Sequence, residues 1–318
     1  MGEVQIGTSI GQKKISFWTK VKKDYKKHKW IYLMAIPMII YFIVFCYIPM
    51  YGVIIAFKNY NIKLGILRSP WVGFKYFEQF FSNYYFWRLI KNTLLMSLYD
   101  ILWGFPAPII LALLLNEIKN KYFKRTVQTI TYLPHFISSV VICGMIIDFT
   151  RTDGLINHIL AYFGVPASNL LARPELFRTI NVGSGIWQSI GWGSIIYLAA
   201  LSAIDTSLYE AATLDGAGRW KQMWNITLPG IAPTIIILFI LRIGSLMSVG
   251  TEKILLLYSP LTYSTADVIG TFVYRKGLQG SFEFSYSTAV GLFESVIGFI
   301  LLIVANKVSK KVTENSLW

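Results

Sequence analysis

The 318 residues are 54% hydrophobic and only 14% charged, with a mean hydropathy of +0.52. A soluble domain carries about a quarter charged residues, so this composition argues against a soluble enzyme or binding module and for a membrane protein. The formal net charge is +14, but Lys and Arg gather at the edges of apolar blocks, which fits loops retained beside a bilayer and gives no support to a nucleic-acid partner.

At the N-terminus, Lys20, Lys22, Lys23, Lys26, Lys27 and Lys29 precede the first apolar block. That block is too long for a signal-peptide core and no small-residue cleavage site follows it, so a retained first span is expected. Ile6 stands where a myristoylation pattern needs Ser or Thr. Six blocks, at 30–57, 92–115, 126–149, 180–204, 230–250 and 284–306, reach the roughly 20 residues that cross a bilayer as a helix. Lipid offers no partners for backbone groups, so the predicted fold is an all-α membrane protein of six transmembrane helices. The predicted organisation is a basic segment at 1–29, a membrane domain at 30–306 that contains a polar loop at 205–229, and a tail at 307–318.

The blocks carry a few residues out of keeping with lipid. Asp100 lies in the second, Arg242 in the fifth and Glu294 in the sixth. A charge there either lines a polar path, pairs with another span, or meets a partner subunit, and the sequence leaves these open. Cys46 and Cys143 lie in apolar blocks and read as buried, inert thiols rather than a disulfide or metal pair. His28, His135 and His158 form no metal-ligand spacing, and His135 after Pro134 reads as structural. The fourth block combines Gly183, Gly185, Gly191 and Gly193 with Trp187, Gln188, Trp192 and Tyr197. The glycines permit close helix approach. The aromatic rings either pack or anchor the span, or, beside hydrogen-bonding groups, offer a face to a sugar ring.

The segment 205–229, DTSLYEAATLDGAGRWKQMWNITLP, is too polar to span. Ser207 with Glu210 three positions later offers a capping box for a short helix that Gly216 would end, and a second short helix is expected from Arg219 to Trp224. With six spans, the segments on the side of both termini hold 17 Lys and Arg in 76 positions, against 12 in 97 on the other side. Positive residues favour the cytoplasm, so both termini and this loop are predicted inside.

Glu210-Ala211-Ala212, then Gly216 after three residues, then Ile226-Thr227-Leu228-Pro229 after nine more resembles the EAA loop of ABC importer permeases. The six spans, with this loop between the fourth and fifth, extend the resemblance to a type I importer permease over nearly the whole chain. The resemblance implies a coupling helix that docks on a separate ATPase. Glu210 would make polar contacts there, Ala211 and Ala212 would allow close approach, Gly216 would supply the turn, and Leu228-Pro229 would anchor the exit. Asp215, Arg219 and Ile226 belong to the same docking set. The stretches from Tyr132 to Ser138 and from Asp215 to Trp220 look like the branch that imports oligosaccharides or polysaccharide fragments. The implied partners are a second related permease, two copies of an ATPase that bind ATP and Mg2+, and an extracellular solute-binding protein, in a bacterial cell membrane. The chain lacks the G-x-x-x-x-G-K-[ST] phosphate loop, so no cofactor or catalytic step is expected in it. A permease for a non-sugar solute, an ion-coupled carrier and an enzyme acting on lipid-linked sugars are the alternatives.

Overall fold

A computed structural model describes residues 17–280, 282–313 and 316–318, and the basic segment 1–29 is therefore described only from Phe17 onward. Among the described residues the chain is helical, with one isolated backbone bridge, Lys58 to Trp71, and no strand. It divides into two compact units, Met1–Ile54 and Ile55–Trp318.

The first unit is built on one helix whose apolar part, α1, is Lys27–Phe57. Its backbone departs from helical angles at His28, where the basic segment meets the apolar run. Ile31, Met34, Ile39 and Phe45 all point outward, as do Cys46 and its neighbours. A helix that is apolar all round suits lipid rather than a protein core. The outward-facing Cys46 differs from the buried thiol expected there, whereas Cys143 is buried.

The second unit contains α2 (Phe86–Glu117), α3 (Lys121–Phe136), α4 (Ser139–Thr150), α5 (Pro174–Ser202), α6 (Thr206–Leu214), α7 (Arg219–Gly244), α8 (Thr251–Leu257), α9 (Ile269–Gly277) and α10 (Phe284–Thr313). Among the described residues four helices, α1, α2, α7 and α10, are long and apolar enough to cross a membrane alone. The number rises to six if each of two bent pairs counts as one span.

The block expected at 126–149 is the first bent pair, with a 101° change of direction between α3 and the helices after it. Pro134 has no N–H to continue an α-helix, the turn Leu133–Phe136 tightens to a 3-10 helix, and Ile137 and Ser138 turn extended. Ser138 then caps α4, its Oγ accepting from the Val141 N–H. The fourth block begins earlier than expected, at Pro174, whose missing N–H is harmless in the first turn. Its Gly, Ser and Asn content dilutes the apolar character, and α5 qualifies as a span only together with α6, bent 69° from it. The fifth helix already starts at Arg219, inside the segment read as loop, and stops at Gly244 rather than 250. The sixth continues through Thr313 into the expected tail, of which 314 and 315 lie outside the described residues.

Lipid tails remove most of the hydrophobic drive between helices, so contact depends on close approach. A Cβ on Gly191 would stand 2.1 Å from the Thr131 carbonyl oxygen of α3, and one on Gly193 would stand 3.0 Å from Pro108 of α2. Gly298 of α10 lies against the Gly244 carbonyl of α7 in the same way. Gly183 meets nothing within 4 Å. At the opposite end from α6, Asp267 is fully buried and accepts from Arg88, Arg275 and Thr271. Asn92 donates to the Asp267 carbonyl and accepts from Arg178, which ties α2, α5 and the segment before α9 into one polar cluster.

Candidate functional site

The coupling segment forms a compact unit. Asp205, not Ser207, caps α6: its side chain accepts from the Ser207 N–H at 2.9 Å. That bond holds the Asp205 carboxyl below its ordinary value. The helix ends as expected at Gly216, whose φ of 74° lies in the left-handed region that only glycine enters freely. Ala217 N donates to Ala212 O and Gly216 N to Thr213 O, the paired bonds of a Schellman end.

The second short helix is the first turn of α7 rather than a separate piece. A π-helical turn at Met223–Thr227 carries it through Leu228 and Pro229 without interruption. The hydroxyls of Tyr209 and Thr227 meet at 3.0 Å, and Gln222 Nε2 donates to Thr213 Oγ1 and to the Ala217 carbonyl, so α6 is bound to the base of α7. Arg219 lies 3.9 Å from Glu117 at the end of α2. This exposed pair is worth about 0–1 kcal/mol and serves position more than stability.

The outer face of the unit is bare. Glu210, Ala211, Asp215, Gly216, Arg219 and Pro229 are exposed, while Ala212, Ile226 and Leu228 are half-buried. Leu214 (90% exposed) and Trp220 (74%) stand out from it. Among the described residues Glu210 and Asp215 have no ion-pair partner. This face therefore combines free carboxylates with bare apolar side chains.

Two polar cavities lie along α5 and α7. One, of about 220 Å³, is lined by Ser97, Asp100, Asn181, Gly185, Arg242 and Lys253 among others. The second, of about 370 Å³, is lined by Gly104, Ser189, Trp192, Tyr197, Arg242 and Ser245 with apolar neighbours. Arg242 and Ser245 belong to both walls, so the cavities are neighbours, and their polar lining residues form a strip along the two helices. Arg242 bonds Asp100 across it through Nη2. The two charges thus pair between spans and line one cavity.

Trp192 stacks on His135 at a centroid distance of 4.5 Å and 4° between planes, with one face left to the cavity. Tyr197 is buried in the second cavity wall. Trp187 belongs elsewhere: it closes an apolar cavity of about 360 Å³ with Ile142, Met145 and Phe149. Gln188 and Glu294 line neither polar cavity. The strip therefore gathers Asp100, Arg242, Trp192 and Tyr197 and leaves out Trp187, Gln188 and Glu294.

Sequence reasoning missed Asn181 and Lys253. Lys253 sits in the polar stretch after α7 and looked like an ordinary loop cation. Only the return of α8 against α5, where Lys253 Nζ donates to the Asn181 carbonyl at 2.9 Å, brings it to the cavity.

Known proteins resemble this chain over nearly all of its length. It is 47% identical to Protein LplB of Bacillus subtilis (strain 168), covering 96% of this chain and 95% of that one. It is 45% identical to the polygalacturonan/rhamnogalacturonan transport system permease protein YteP of the same organism, over 92% of this chain and 91% of that protein. A bacterial ABC transporter involved in the import of the acidic polysaccharide alginate contains a chain of 44% identity, superposing with a TM-score of 0.85 over 92% of this chain and 99% of that one. A further structure of a bacterial alginate ABC transporter, in complex with alginate pentasaccharide-bound periplasmic protein, matches with a TM-score of 0.85 and 42% identity. Residues 80–314, which include the docking unit and both cavities, match the family described as binding-protein-dependent transport system inner membrane component, and the chain belongs to that family.

Proposed function

We propose that this chain is one of two permease subunits lining the pathway of an ATP-driven bacterial oligosaccharide importer. A loaded extracellular binding protein delivers sugar to the assembly. Two copies of a separate ATPase, which bind ATP and Mg2+, supply the energy. Both termini and the α6 unit face the cytoplasm, as the denser Lys and Arg on that side require. The chain itself makes and breaks no covalent bond.

The observation that carries this reading is the continuity of α7. Its 26 residues join the bare docking face to Arg242 in the polar strip, about 35 Å away at 1.5 Å per residue. When the ATPases close, a push on α6 passes through the Tyr209–Thr227 and Gln222 bonds to the base of α7. The helix then moves as a rigid body and shifts one wall of the strip against α5, opening the path on one side and closing it on the other. The aromatic face of Trp192 and the hydroxyls of Ser189 and Ser245 suit a sugar, apolar on its C–H face and polar at its rim. The sugar cargo of the relatives, polygalacturonan and alginate, supports the same substrate class. An ion-coupled carrier is less well served, because Asp100 is held by Arg242 rather than left free to load and release a cation.

Affinity purification of the tagged chain from its native membrane tests this. The expected outcome is an ATPase and a second permease recovered with it, with saccharide retained by the associated binding protein. Recovery of the chain alone would contradict the importer reading, and an associated amino-acid or phosphate binding protein would contradict the sugar.

A further inference from the structure

The polar strip is not electrically neutral. Asp100 is matched by Arg242, and this leaves Lys253, whose ammonium forms no ion pair among the described residues. One of its three donors is taken by the Asn181 carbonyl. The others are free on the cavity side, where Gly185 opposes it: a Cβ there would stand 3.5 Å from Nζ, so glycine leaves the ammonium uncovered. In the same wall the Asn181 Oδ1 is buried with no hydrogen-bond partner among the described residues. A half-buried cation beside an unused acceptor is an incomplete arrangement, because buried polar groups ordinarily have partners. The missing complement of the uncovered ammonium is an anion.

We propose that Lys253 is a carboxylate-binding residue of the pathway, receiving the uronate carboxylates of an acidic oligosaccharide in transit. This rests on the oligosaccharide-import reading and narrows it to uronate-containing chains. Charge-assisted hydrogen bonds are roughly twice as strong as neutral ones, so the site favours acidic over neutral sugar. A lysine also suits passage better than an arginine: it is a mobile point charge rather than a bidentate fork, and a transit site must release what it holds. Arg242, adjacent along the wall and partly engaged by Asp100, offers the next positive position.

The test uses the complete transporter, with its partner permease, ATPases and binding protein, in proteoliposomes. Uptake of trigalacturonate and trimannuronate is compared for wild type, Lys253→Met, Lys253→Glu and Lys253→Arg. The expected result for Lys253→Met is a loss of uronate uptake of about tenfold or more, seen as a raised KM, the size of one charge-assisted contact. Lys253→Glu falls further and Lys253→Arg recovers most of the uptake, while assembled complex is recovered in wild-type yield throughout. Unchanged uronate uptake in Lys253→Met overturns the proposal. So does loss of assembly parallel to loss of uptake, with no rescue by Lys253→Arg, which assigns Lys253 a purely structural role. Wild-type uptake of maltotriose or xylotriose but of neither uronate overturns the subsite and leaves sugar import standing. ATP-dependent uptake of no saccharide removes the import reading, and the subsite with it.

Discussion

Charged side chains among these helices are balanced in three different ways. Asp267 is fully buried between two arginines, Asp100 holds one, and Lys253 has only a backbone carbonyl. Burial alone lowers the Arg275 guanidinium, and the Asp267 carboxylate more than reverses this, holding it above its ordinary value. Removing the shared carboxylate by Asp267→Ala strands two cations. The expected cost is about 3–5 kcal/mol, read as a large fall in the Tm of the purified chain or its loss from the membrane. Lys253 behaves differently: α8 lies outside the membrane-spanning helices, and burial pushes its ammonium down to about 8. The other ionisable groups around it are Cys143 of α4, Glu252 on its own helix, and Asp100 and Arg242 across the cavity. Uronate carboxylates stay ionised over this range, so uptake through Lys253 is expected to hold below pH 8 and to decline as pH rises through it. An uptake profile from pH 6.5 to 9.5 checks this, and Lys253→Arg, which keeps its charge, should flatten the profile. Asp100 and Arg242 were legible in the sequence because a charge inside an apolar block stands out. Lys253 and Asp267 were not, since a charge in a polar stretch looks the same whether it reaches water or folds back into a cavity.

At the scale of elements, each of the six apolar blocks falls on a candidate span, four as single helices and two as bent pairs, and the errors fell where a local rule beat the hydropathy pattern. Pro134 and the extended Ile137–Ser138 pair broke the third block into two helices, although its apolar run is continuous. Asp205 displaced Ser207 as the cap of α6, and the base of α7 absorbed the second short helix. Glycine roles were not separable by sequence: all four in the fourth block look alike, yet Gly191 and Gly193 are pressed against neighbours and Gly183 is not. The difference is measurable. Gly191→Ala drives a methyl group into the Thr131 carbonyl and is expected to destabilise by about 1–3 kcal/mol. Gly183→Ala is expected to be neutral or to stabilise by up to about 1 kcal/mol, since alanine is the better helix residue. Thermal denaturation of the two purified variants in detergent gives the comparison directly, and equal Tm values would contradict the packing described here.

At the scale of the whole molecule, the proposed function makes the chain a transmission whose input and output are both completed by partner subunits. Its input is the bare face formed by Glu210 and Leu214 of α6 and Trp220 of the first turn of α7, and its output is the polar strip. The input was legible because its residues lie close together in sequence at a recognisable spacing. The output was legible only in part: Asp100, Arg242, Trp192 and Tyr197 stood out singly, but they come from α2, α5 and α7, and with Lys253 of α8 they meet only through the fold. The turn at Gly216 joins α6 to the base of α7, and a β-branched residue there would have to adopt a left-handed backbone. The most direct test measures oligosaccharide uptake and ATP hydrolysis together in proteoliposomes containing the four-component assembly, with wild type and Gly216→Val. Wild-type uptake is expected to require ATP, and the variant to lose about tenfold or more of its uptake per ATP hydrolysed, the equivalent of about 1.4 kcal/mol in coupling. Uptake by this chain without ATP, or wild-type coupling in the variant, would contradict the account.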